Sequence, residues 1–396
     1  MQGLKVLITN NTLGNRAGTE LYVRDLATAL LDRGHSPVAY SQHPGNVAED
    51  LRKLSIPVIS DFSTLTSPPD IIHGHHHLET MTALLQFPRT PALYVCHGWL
   101  PWEELPPHFS RIRRYVAVDE ACLDRLVVEN DIPEEKVELL LNFVDLDRFK
   151  RREPLPPKPG RALIFSNNIH EGNFLPTIRR ACEKAGIALD IAGLGAGKPA
   201  SNPENIIGNY DLVFAKGRSA LEALAVGCAV ITCDLAGLGP MVTTDNIERL
   251  RRLNFGIRAI RYQLTVENLS AEIAKYNAAD SAAVSGMIRA TAGREKVIDH
   301  YLRIYQEIIK DYSESDPACF ESEMRQAAAY IQQISPDIKN FIAGSRAHIH
   351  EMEMQKKSRT YLLKRILLSN RHFSKFYRSI FTMPNENDRL PSSGAE

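Results

Sequence analysis

The chain of 396 residues has no net charge, because 47 basic and 47 acidic side chains cancel. Bulk electrostatics therefore give no reason to expect nucleic acid or an acidic partner. No uninterrupted apolar run approaches the roughly 20 residues that a membrane-crossing helix needs. The six cysteines (Cys96, Cys122, Cys182, Cys228, Cys233 and Cys319) lack the paired spacing of metal sites, and several lie in apolar, strand-like runs. Reduced, buried thiols in a cytoplasmic protein are expected, with no metal site. The sequence opens Met-Gln-Gly-Leu-Lys and enters a strand at once, so no signal peptide is expected.

What is present is alternation. Leu4–Asn10, Ser36–Ser41, Pro69–Gly74, Pro91–His97 and Tyr115–Val118 are short apolar runs separated by helical patterns. The first such helix spans Glu20–Arg33, with Leu21, Ala27, Leu30 and Leu31 on its inner face. Strands alternating with helices imply a parallel sheet covered on both sides. Four prolines in Lys150–Gly160 cannot hold a helix or an inner strand and read as a stiff linker. Alternation resumes at Ala162–Ser166, Ala188–Gly193, Asp211–Phe214 and Ala229–Cys233, and from about Ser281 the pattern is helical, including Met287–Lys310. The expected class is α/β, with two doubly wound, Rossmann-like domains (1–150 and 151–312) facing a cleft, then a helical appendage and tail (313–396).

The densest functional signal is Lys216-Gly-Arg-Ser-Ala-Leu-Glu-Ala-Leu-Ala-Val-Gly-Cys-Ala-Val-Ile-Thr232. It reads as a helix, a glycine turn at Gly227 and a buried strand. Gly217 and Ser219 suit a helix start, where unpaired N–H groups and the dipole favour an anion such as phosphate. Glu222 follows about one turn later, where a carboxylate can accept hydrogen bonds from two neighbouring hydroxyls. An ordinary strand–helix unit with a favourable N-terminal charge fits the same pattern.

These residues resemble the nucleotide-sugar helix of GT-B glycosyltransferases, especially the retaining family four. Three further segments are similar and stand in the same order: Ala17–Ala27, Tyr115–Asp119 with Ile132–Val137, and Leu141–Phe149. The resemblance covers roughly residues 4 to 312. It implies a transferase using a nucleotide-diphosphate sugar, with no cofactor or metal, acting on a glycan, lipid-linked or other acceptor. Glu222 would meet the donor's ribose, with Gly217 and Ser219 near its phosphates. Gly14, Gly18 and Glu20 would belong to the loop and helix start bordering phosphate or acceptor. His97, at the end of Val95-Cys-His, would contact the transferred sugar. His73 and His75 are second candidates; His76 and His77 are expected to be structural. Gly193 and Gly195, in a glycine loop that is not a Walker motif, would line the nucleotide.

The sequence also departs from the family. The usual pair of glutamates eight positions apart is broken, because Phe214 stands where the first is expected. The arginine and lysine common after the strand at Ala162–Ser166 are replaced by residues such as Asn167 and Gly172. Lys216 and Arg218 are the candidate substitutes for neutralising a diphosphate. These departures keep two alternatives open: a nucleotide-sugar epimerase or hydrolase, and a catalytically inactive GT-B scaffold. Between Lys356 and Arg378, eight basic residues interleave with apolar ones at helical spacing. That pattern suits either an anionic membrane surface or a helix docking on its own domains or a second subunit. A disordered tail is expected over Asn385–Glu396.

Overall fold

The computed structural model describes residues 3–198, 200, 202–315 and 320–357. Most of the basic C-terminal stretch, the tail at Asn385–Glu396 and Cys319 lie outside these residues. The chain divides into two compact units, the first ending at Gln326 and the second starting at Ala327.

The first unit contains two large sheets and a two-stranded one that pairs Thr12–Leu13 with His43–Pro44. The larger is built from β1 (Lys5–Thr9), β2 (Ser36–Tyr40), β3 (Val58–Ile59), β4 (Ile71–His75), β5 (Ala92–Cys96), β6 (Ile112–Ala117) and β7 (Val137–Leu139), in the order β3-β2-β1-β4-β5-β6-β7. Every pairing in it is parallel. Its central strands β4 and β5 are buried at every residue, as a sheet covered on both faces requires, and Val6, Leu7, Ile8, Ile71, Ile72 and Val95 are wholly buried. The strand order reverses between β1 and β4, so the loops leaving those two strands diverge and open a crevice. From that crevice α1 (Gly18–Asp32) departs.

The second sheet comprises β8 (Arg161–Phe165), β9 (Ala188–Ala192), β10 (Leu212–Ala215), β11 (Ala229–Asp234) and β12 (Gly237–Met241), in the order β9-β8-β10-β11-β12. Only the β11–β12 pair is antiparallel. Alternate residues feed two cores. Ala162, Ile164, Phe214 and Ile231 pack on one face with α2 (Leu175–Lys184) and α4 (Val266–Ile273). Leu163, Val213 and Val230 pack on the other with α3 (Gly217–Val226) and α5 (Ala278–Thr291). Residues 151–160 between the sheets form no helix or strand, as four prolines dictate.

The helical pattern over Met287–Lys310 is not one helix. It breaks at Ala292–Gly293, where Val144 N–H donates to the Ala292 carbonyl (2.8 Å) and Arg294 N–H donates to the Val144 carbonyl (3.0 Å). Helix α6 (Arg294–Glu314) then crosses back to the first sheet, with the Tyr301 hydroxyl 2.7 Å from that of Tyr22. It runs past residue 312 without interruption. Helix α7 (Phe320–Lys357) follows. No helix among the described residues is long and apolar enough to cross a membrane.

Candidate functional site

The most informative sequence segment folds as its punctuation dictates. Strand β10 ends at Ala215, Lys216 is the N-cap in extended conformation, and α3 begins at Gly217. Gly217 has φ +56°, a conformation that a Cβ disfavours, which explains glycine there. Gly227 closes the helix with φ +105°, and β11 follows.

The start of α3 faces a cavity of about 420 Å³. Phe165 at the end of β8, Ser166, Asn167 and Leu194 from the loops after β8 and β9, and Arg218, Ser219 and Glu222 from α3 line it. Asn15, Arg16, Ala17, Gly18 and Leu21 close it from the loop after β1 and the first turns of α1. Two helix N-termini therefore converge on one cavity, each presenting partial positive charge. No side chain caps either helix start. A Cβ on Gly18 would meet nothing within 4 Å, so the space beside it is open.

Arg218 and Glu222 form an (i, i+4) pair on the cavity wall, with Nε to Oε1 at 2.7 Å. Glu222 is 3% exposed, and burial pushes its carboxyl up despite the opposing pull of Arg218. Arg218 also pairs with Asp25 of α1. Asp25 in turn accepts from Arg24 (2.8 Å) and faces Arg148 (3.4 Å). Burial raises the Asp25 carboxyl, but Arg218, Arg24 and Arg148 together outweigh it and leave the net shift downward.

A second cavity of about 120 Å³ shares Gly18 and Arg218 with the first. Thr19, Tyr22, His97, Asn142, Phe143 and Asn254 complete its lining. His97 follows β5, and its backbone N–H donates to Glu104 Oε2 at 2.8 Å. Its ring Nε2 lies 2.6 Å from His75 Nδ1. Glu104 is itself buried, which pushes its carboxyl up to about 8.

Of the sequence-selected residues, the structure brings together Gly18, Arg218, Ser219, Glu222 and His97. Gly217 stands at the same helix start. The others fall elsewhere. Gly14 packs against Gly45, whose Cβ would approach the Gly14 Cα to 2.7 Å. Glu20 is buried, accepts from the Thr19 hydroxyl and lines neither cavity. His73 and His75 are buried too: the one meets Tyr305 and the other His97, and neither lines either of these two cavities. Gly193 has φ +151° with a Cβ position 1.8 Å from the Ser166 carbonyl, and Gly195 packs on Asn167; between them only Leu194 reaches the cavity. Lys216 pairs with buried Asp234 rather than facing the cavity. Phe214 is 0% exposed in the core opposite α3, so a glutamate at that position would be interior rather than in the cleft.

Asp25, Arg16, Asn142 and Asn254 escaped sequence reasoning. Asp25 alone carried a signal: it stands on the inward face of α1, one turn from Leu21 and next to Leu26, where an apolar residue would be usual. Among the described residues no group of three His, Cys, Asp or Glu side chains is placed to hold a metal ion.

Residues 16–148 match the family model described as Glycosyltransferase Family 4. Among solved structures, the chain is similar to a glycosyltransferase from Rickettsia africae at 15% identity, with a TM-score of 0.52 over 78% of this chain and 100% of that one. It is also similar to Anabaena HepE, solved in complex with UDP and glucose, at 14% identity and a TM-score of 0.54 over 76% and 99% of the two chains. No curated protein sequence matches the chain. The protein therefore has the GT-B glycosyltransferase fold, and the match over its first sheet is to family four.

Proposed function

We propose that the protein transfers a sugar from a nucleoside-diphosphate sugar to a glycan or lipid-linked acceptor, with retention of configuration. The observation that carries this reading is the convergence of the α1 and α3 N-termini, Arg218 and Glu222 on one cavity. A diphosphate leaving group gains negative charge as the glycosidic bond breaks, and preorganised N–H groups with a guanidinium stabilise that charge. Glu222, one turn into α3, is at the depth of a ribose whose phosphates meet the helix start. The smaller cavity beyond Gly18 and Arg218 suits the transferred sugar, with His97 against it. Among the described residues no carboxylate lines that smaller cavity, so the reading includes no covalent glycosyl–enzyme intermediate. HepE, with UDP and glucose bound, makes a uridine diphosphate sugar the first donor to try. Lys216, Gly193 and Gly195 act at a distance in this reading, by fixing the loops around the cavity.

A second reading is a binding scaffold without catalysis. It is favoured by the pairing of the nearby cations: Arg218 with Asp25 and Glu222, Arg16 with Asp50, and Lys216 with Asp234. An incoming phosphate must compete with those carboxylates.

The test is thermal unfolding with UDP-, GDP- and ADP-sugars. A ligand at about 100 times its Kd stabilises the folded state by roughly 2.7 kcal/mol. One nucleotide class raising Tm, with the shift lost in Glu222→Ala and reduced in Glu222→Gln, supports the donor site. Release of nucleoside diphosphate in an acceptor screen then separates transfer from scaffolding. A sugar isomer or free sugar as the product indicates an epimerase or hydrolase. No shift with any donor at millimolar concentration sinks the donor-site reading.

A further inference from the structure

Strands β4 and β5 are parallel neighbours, with His75 opposite Val95, so the residues at their C-terminal ends lie side by side. This register brings His75, which is 0% exposed, against His97, which lines the smaller cavity. Their rings are inclined by only 24° with centroids 4.7 Å apart, and His75 Nδ1 lies 2.6 Å from His97 Nε2. That is the arrangement of two imidazoles meeting nitrogen to nitrogen, with a single proton between them.

Which ring carries that proton follows from the far side of His75. Its Nε2 is buried and has no hydrogen-bond partner. A buried N–H without an acceptor is costlier and rarer than a buried lone pair without a donor. His75 therefore keeps its proton on Nδ1 and donates it to His97 Nε2. Burial, reinforced by neighbouring His73, His76 and Arg218, holds both imidazoles well below their ordinary titration range, so each ring carries one proton. With Nε2 occupied as an acceptor, the His97 proton must sit on Nδ1. Tyr22, edge-on to His97 at 4.6 Å, and the Glu104 carboxyl group on its backbone N–H hold the ring in place.

We propose that His75 is a positioning residue that locks His97 in its Nδ1-protonated tautomer, so that His97 offers an N–H donor, not a proton-accepting base, to an oxygen of the sugar in the smaller cavity. The proposal rests on the donor-site reading for the identity of the ligand, but the tautomer itself does not.

The experiment is a long-range proton–nitrogen NMR correlation on the unliganded, ¹⁵N-histidine-labelled full chain, with His97 assigned from its loss in His97→Gln. The expected spectrum has a protonated Nδ1 and a bare Nε2 on His97. His75→Phe removes the donated proton and moves His97 to the Nε2 tautomer or a mixture. His75→Asn, whose amide replaces the donor near Nδ1, restores the original pattern. In the kinetic arm, His75→Phe lowers kcat by about a hundredfold, the scale of losing one transition-state donor. His75→Asn recovers most of it, and UDP affinity is unchanged in both. A wild-type spectrum with His97 protonated on Nε2, or on both nitrogens, overturns the lock even if the variants fail to fold. Equal loss of UDP and UDP-sugar affinity overturns the assignment to a sugar oxygen. An intact lock in a protein whose Tm no nucleotide sugar raises would remove the donor-site reading alone.

Discussion

Asp25→Asn is the perturbation with the largest expected effect relative to its size. The side chain changes by one atom's identity, yet it removes the charge on which three guanidinium groups converge. Asp25 is 3% exposed; its Oδ1 is 2.8 Å from Arg24 and 3.4 Å from Arg148, and its Oδ2 meets Arg218. After the substitution Arg218 retains Glu222, and Arg148 retains Glu204 at 3.0 Å, but the cluster has lost its shared counter-ion. Removing one partner of a buried pair costs about 3–5 kcal/mol, because the remaining charge stays desolvated. For a unit that ends at Gln326, with an unfolding entropy of about 2.1 cal/mol/K per residue, that corresponds to a fall in Tm of roughly 4–7 °C. Urea unfolding of the wild type and Asp25→Asn measures the difference directly. The sign with pH is fixed by the depressed carboxyl of Asp25. Its contribution is complete above the unfolded carboxylate's ordinary value of 3.8 and disappears as pH falls through the lower folded value. The gap between wild type and variant should therefore be full at pH 7 and shrink in acid below pH 3.8. Repeating the substitution in an Arg218→Met background should cost less, since the two residues share one interaction. A loss under about 1 kcal/mol at pH 7, the scale of an exposed ion pair, would refute this account of the cluster.

Two further outcomes follow from other parts of the site. Gly193→Ala places a Cβ 1.8 Å from the Ser166 carbonyl at φ +151°, so it should destabilise by at least about 2 kcal/mol and weaken any nucleotide-induced Tm shift. Gly286→Ala, in mid-helix with open space around it, is the control and should stabilise by roughly 0.5–1 kcal/mol. Glu104→Gln tests the buried carboxyl behind His97. Because burial lifts that group from 4.5 to about 8, the folded state binds its proton more tightly, and Glu104 progressively destabilises the protein as pH rises through that interval. The stability of Glu104→Gln relative to wild type should climb between about pH 5 and pH 8, gaining roughly 1.4 kcal/mol for each step of one in pH. A flat difference across that window would show that the carboxyl ionises normally.

Much of the fold was legible in the chain because its determinants are local. Alternating apolar runs announced parallel strands, four prolines marked the break between the sheets, and Gly217 and Gly227 bracketed α3 because both need positive φ. Glu222 was legible for the same reason: its position relative to a helix start is a matter of counting residues. The break at Ala292–Gly293 was not, since it is set by backbone hydrogen bonds from Val144, far away in the chain.

The sequence by itself determined the alternation of strands and helices, the glycine-bounded start of α3, and which carboxylate stands one turn inside it. Only the tertiary structure decided what that carboxylate and its neighbours face. Asp25 meets Arg148 and Arg218 across 123 and 193 residues of chain, and His75 meets His97 across 22. The reason is physical: periodicity fixes which face of an element a side chain occupies, whereas strand order and the crossing of α6 decide which faces come together. Phe214 shows both halves of this. Its alternation within β10 sends it to the core face away from α3, and that face is interior only because α2 and α4 cover it.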